Sequence, residues 1–92
     1  MDKLAKFELM EKIVRELDDL RNSQTAVLKK IGQIEVENIE LNDKSLENGV
    51  SDLFTKMSET LDSVTAVHTE FSDRTDQFRK DNNLVPAEDT LS

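Results

Sequence analysis

The chain has 92 residues, a net charge of −8 and no cysteine. That length allows one small domain with a modest core, and the missing thiols exclude disulfides and thiolate metal sites. Twelve basic against 20 acidic side chains, with no basic half, leave little to neutralise phosphates. Nucleic acid and anionic membrane surfaces therefore fall outside the expected partners.

Asp2 is placed to cap a first helix. From Met10 the apolar residues follow an unbroken alternation of three and four. Met10, Leu17, Gln24, Ile31, Asn38 and Ser45 form one heptad row, called a, and Ile13, Leu20, Val27, Ile34 and Leu41 form a second, called d. Such a pattern marks a long helix that packs against another helix. Val14 and Leu28 extend the apolar surface on row e. Leu4, Phe7, Met10 and Val14 lie on one face near the start of this helix, spaced as helix-in-groove anchors are. They are the candidate partner-binding residues, to be covered by a partner helix or by a second copy of the chain. For the second helix the rows are lettered afresh, with Val50 as a.

Gly32 falls outside the seam, where glycine costs about 1 kcal/mol relative to alanine without ending a helix. Past Gly49 the first frame offers only Asp52, Thr55, Glu59 and Asp62. The apolar stripe resumes two residues out of phase at Val50, Phe54, Met57, Leu61, Val64, His68, Phe71, Thr75 and Phe78. A turn at Asn48-Gly49 explains the jump, because Asn-Gly accepts positive φ and glycine is favoured just past a helix end. Ser51 would then cap the second helix. The alternative is a single helix of about eighty residues with an offset seam.

The expected fold is thus all-α: an antiparallel helical hairpin over residues 1–83, coiled-coil-like, dimerising into a four-helix bundle. The expected spans are a helix over 2–47, a turn at 48–50, a helix over 51–82 that ends before Pro86, and a flexible acidic tail over 84–92. Closure at Asn48-Gly49 pairs residues whose numbers sum to about 95. Leu41 then meets Phe54, Ile34 meets Leu61, Ile31 meets Val64 and Leu17 meets Phe78. The first helix would outrun the second by about a dozen residues, roughly 18 Å, and leave Leu4, Phe7, Leu9 and Met10 uncovered. Ile31, Ile34, Leu61 and Val64 would form the centre of the core. Leu53 and Val67, beside the second seam, widen the apolar face beyond what two helices use.

The polar seam residues have structural readings. His68 is the only histidine and, in this pairing, forms a polar layer with Gln24, a pH switch or catalytic base being the alternative. Asn38 sets register and oligomeric state, as polar residues at core heptad positions do. The acidic stretches IEVENIEL and TEFSDRTD lack the loop spacing of a calcium site and read as solvated helix faces. No cofactor, no metal and no enzymatic activity are expected. The longest apolar run is Ala26-Val27-Leu28, which excludes a transmembrane helix and a signal-peptide core. The expected location is the cytoplasm, or export without a cleaved signal peptide.

Two resemblances add to this. Two helices, a central Asn48-Gly49 turn and a polar tail after Pro86 resemble the small helical-hairpin proteins of type VII secretion, the WXG100 proteins and the helpers of LXG toxins. Glu47-Asn48-Gly49 stands where the WXG100 proteins carry Trp-x-Gly, and their Tyr-x-x-x-Asp/Glu tail signal is absent, so the toxin helpers are the nearer comparison. That resemblance implies a non-enzymatic adaptor or secretion helper that binds a toxin's helical leader and is exported with it. The first half, with Met1-Asp2-Lys3, Phe7, Ile31-Gly32 and Glu37-Asn38-x-x-Leu41, is similar to the coiled coil of the YabA replication-initiation regulators, without that family's zinc-binding domain. The composition leaves a self-assembling coiled-coil bundle open beside these.

Overall fold

The computed structural model describes residues 1–84 and consists of two helices, α1 (Lys3–Leu41) and α2 (Lys44–Asp81), folded against each other as an antiparallel hairpin. The all-α hairpin expected from the heptad pattern is what the chain forms. The expected tail over 84–92 lies, apart from Leu84, outside the described residues. The hairpin is a rod 59 Å long and 23 by 18 Å across.

Local chemistry accounts for the helix ends. The Asp2 side chain accepts a hydrogen bond from the Ala5 N–H at 2.6 Å and caps α1 as expected. At the far end Asn42 adopts the left-handed conformation (φ 57°) and donates its N–H to the Asn38 carbonyl at 2.6 Å. Asparagine is the residue that most readily replaces glycine there. Asp43 follows at once in extended conformation, and its carboxylate accepts from the Leu46 N–H at 2.8 Å, which starts α2. α2 stops at Asp81, close to the expected end. Basic Arg79 and Lys80 sit in its last turn, where cations suit the helix dipole.

The turn is therefore Asn42-Asp43 and not Asn48-Gly49. Asn48, Gly49 and Ser51 all lie inside α2, and neither glycine has a positive φ. The reversal comes six residues early, so the facing positions change throughout. Lys6 sits over the Phe78 ring at 5.2 Å, and His68 Nε2 stands 4.0 Å from Asp18 Oδ1. Facing residues thus have numbers summing to about 85, and the pairings Leu41–Phe54, Ile34–Leu61, Ile31–Val64 and Leu17–Phe78 do not form. With 39 residues in α1 and 38 in α2 the helices match in length and no overhang exists.

The seam of α2 runs in the expected phase: Val50 and Thr75 are buried, and Met57, Leu61, Val64, His68, Phe71 and Phe78 are half-buried. Only Phe54 departs from it, at 43% exposed. On α1 the seam is rotated by one row. Rows a and e face α2: Phe7 and Ile31 are buried, and Met10, Val14, Leu17, Gln24 and Leu28 are half-buried. Row d, expected inside, is exposed. The physical reason is that α1 is apolar on both flanks of row a, while a single partner helix covers only one. The hairpin buries the flank that carries Phe7.

This arrangement makes Gly49→Ala a decisive substitution. A methyl group there meets nothing within 4 Å, and the backbone is helical. The variant is expected to gain about 1 kcal/mol in urea denaturation. A turn glycine at positive φ would give a loss.

Candidate interaction face

The two seams use the same pair of heptad rows, a and e. In an antiparallel pair so arranged, row d of each helix points to the same side of the hairpin. On α1 that row is Ile13, Leu20, Val27, Ile34 and Leu41, at 37%, 44%, 40%, 37% and 68% exposed; on α2 it is Leu46, Leu53, Thr60 and Val67, the three apolar ones at 38%, 49% and 52%. A shallow groove near the turn is lined jointly by Ile34, Leu41 and Leu46, which places both rows on one face.

The opposite face is different in kind. Its rows are Glu11, Asp18, Thr25 and Gly32 on α1, and Ser58, Thr65, Ser72 and Arg79 on α2, all half-buried. There Glu11 and Arg15 share a groove with Ser72, Asp76 and Arg79. The hairpin is a two-helix layer with one apolar broad face and one small, polar broad face.

The candidate stripe near the N-terminus is divided by the fold. Phe7 is 2% exposed and is the largest fully buried side chain. Met10 and Val14 are half-buried toward α2. Only Leu4, 49% exposed, remains on the surface. These residues are not an uncovered overhang, because α2 runs back beside them. The exposed apolar row is row d, which heptad spacing brought out and which the sequence reading assigned to the inside.

The polar seam residues also change roles. Asn38 is 7% exposed and does not form a layer with α2 along the seam. Its side-chain amide donates to the Asp43 carbonyl at 3.0 Å, and its oxygen accepts from the Asp43 N–H at 3.1 Å. It clamps the turn. His68 lies by Asp18, which also takes a hydrogen bond from Arg21. Gln24 is level with Leu61 in the observed register, and its buried side-chain oxygen has no hydrogen-bond partner. The expected Gln24–His68 layer is therefore not made.

The electrostatics are those of an exposed helical surface. Ion pairs such as Lys12–Glu16 and Glu70–Arg74, each at 3.8 Å, are local and exposed; pairs of that kind add little stability. Hydrogen bonds from Lys80 and then Arg79 hold the Asp76 carboxyl below its ordinary range. Its folded-state value is depressed, so its small contribution is present above the unfolded carboxylate range and fades as pH falls through it. Among the described residues no cluster could hold a metal ion, and no helix is long and apolar enough to cross a membrane.

No protein-family model, curated protein or solved structure matches the chain. The functional argument therefore rests on the face itself.

Proposed function

We propose that this chain is a non-enzymatic helical interaction module whose working surface is the row-d face. The observation that supports the reading is a continuous stripe of Ile13, Leu20, Val27, Ile34, Leu41, Leu46, Leu53 and Val67, each more than a third exposed along one side of the rod. Monomeric soluble proteins seldom leave so long an apolar stripe in water, and a stripe of this kind usually marks a binding surface. Its heptad spacing suits another pair of helices, which would complete a four-helix bundle. The role is that of an adaptor or secretion helper for a larger helical protein, the role implied by the likeness to type VII helpers. A self-assembling bundle uses the same surface.

Leu20→Glu combined with Val67→Glu tests it. Both side chains lie outside the intramolecular seam, so helicity by circular dichroism and the thermal melt of the isolated hairpin are expected to stay close to the parent. Association in sedimentation velocity, with itself or with a helical partner segment, is expected to disappear. Retained association by the double variant would place the working surface elsewhere.

A further inference from the structure

The row-d face carries a charge pattern along its outer edges that bears on what covers it. Next to row d on the solvent side, α1 presents Glu16, Ser23 and Lys30, flanked in the same row by Leu9 and Glu37, and α2 presents Lys56, Ser63 and Glu70, flanked by Gly49 and Gln77, spaced seven residues apart and all exposed. In the observed register Glu16 is level with Glu70, Ser23 with Ser63, and Lys30 with Lys56. Over these three levels each edge reads negative, neutral, positive along the rod, in the same direction on both helices, and α1 adds Glu37 one heptad nearer the turn. The mid-point is the Ser23–Ser63 level, with the charges about 10 Å to either side.

We infer that the row-d face is closed by a second copy of this chain, turned end for end about the Ser23–Ser63 level; this rests on the face being the working surface. In that arrangement α1 lies antiparallel on the partner copy's α1, and α2 on its α2. Glu16 meets Lys30 of the partner subunit, and Glu70 meets Lys56 of the partner subunit, each pair occurring twice. Along the middle, Leu20 packs on Val27 of the partner subunit and Ile13 on Ile34 of the partner subunit. Leu53 meets the aliphatic stem of Arg74 of the partner subunit, whose guanidinium reaches the edge. Every neighbouring helix pair is antiparallel.

Stacking with the two turns at the same end gives a different outcome. It sets Glu16 against Glu70 of the partner subunit, and Lys30 against Lys56 of the partner subunit. Turn-to-turn stacking also sets Leu41 against Leu46 of the partner subunit, whereas end for end these two meet Lys6 and Asp81 of the partner subunit, so its apolar pairing is the fuller. The like charges along both of its edges oppose it, and we take those charges as fixing the orientation. Glu16 and Glu70 contact Lys12 and Arg74 of their own helices at 3.8 Å. Both contacts are exposed; the Lys12 contact lies away from the face and the Arg74 contact at its edge, and neither is close enough to hold its carboxylate in place.

The chain has no native cysteine, so a single Asn48→Cys variant carries one spin label near the turn, on the exposed side of α2 opposite row d. The parent is expected to sediment as a dimer, and the label-to-label distance in that dimer is expected near 50 Å, because the two turns lie at opposite ends. A distance below about 30 Å, the span of adjacent and diagonal helices at one level, would mean turn-to-turn stacking and would overturn the orientation. A second experiment reads the charges. Glu16→Lys with Glu70→Lys sets lysine against lysine at all four edge pairs and is expected to weaken dimerisation at least tenfold. Adding Lys30→Glu and Lys56→Glu is expected to restore it. A parent that stays monomeric, while Leu20→Glu with Val67→Glu still abolishes binding to a helical segment of another protein, overturns the second copy and leaves the face as the working surface. If that variant changes nothing, the face itself falls.

Discussion

Phe7→Ala is expected to lower the unfolding free energy by about 3–5 kcal/mol, the range for truncating a buried aromatic ring. Phe7 is 2% exposed, and among the described residues only Ile31 and Val50 are the other buried apolar side chains. Its ring packs at the open end of the rod, at the level where Lys6 lies over Phe78. Domains are stable by only about 5–15 kcal/mol in total, so a loss of this size takes a large share of what holds a two-helix protein together. Leu4→Ala, at a side chain 49% exposed, provides the contrast and is expected to change little. Urea denaturation of both variants checks the pair. If Phe7→Ala unfolds at the parent's midpoint, α2 does not cover it, and the N-terminal segment is the free overhang that a turn at Asn48-Gly49 would create.

Asn38→Ala is expected to cost about 1–3 kcal/mol, the penalty for removing the partner of nearly buried polar groups. Two hydrogen bonds to the backbone of Asp43 go at once. They tie the last turn of α1 to the first residue beyond the reversal, so the loss should appear locally as well as globally. Amide exchange at Leu46 and Glu47, the first capped positions of α2, is expected to quicken more than exchange near Val64. Asn38→Asp keeps the acceptor for the Asp43 N–H and loses the donor, and should fall between the parent and Asn38→Ala. A variant whose oligomeric state changes while its exchange near the turn does not would mean that Asn38 acts as a register residue.

The contrast between Asn38 as register residue and as clamp shows what the sequence could and could not convey. That the chain is two long helices with a reversal between them was legible, since two clean heptad frames out of phase demand it. Where the reversal falls was not. The last apolar residue in the first frame is Leu41 and the first in the second is Val50, so periodicity is equally satisfied by a break anywhere between them. Glycine preference pointed to Asn48-Gly49. The signal that would have decided is Asn42-Asp43: a residue tolerant of left-handed backbone followed directly by a strong N-cap. The seam of α2 was readable because a single phase fits it. The seam of α1 was not, because row d is apolar and row e carries Phe7, Val14 and Leu28 beside Arg21 and Glu35, and the choice between them belongs to the partner helix. The same ambiguity concealed the candidate face, for a row that is apolar but faces outward cannot be told from core by spacing.

A reversal of only two residues between helices of 39 and 38 residues has a mechanical consequence. Residues 1 and 84 leave the rod at the same pole, about 59 Å from the turn. A force applied through these two ends acts across the seam and not along it. The helices then part like a zipper, opening first at Phe7 and Phe78 and travelling toward Asn42, with each layer of side chains resisting alone. A load applied between one end and the turn would instead have to slide many layers at once. The chain is therefore weak to traction between its own two ends and stiff when loaded as a strut.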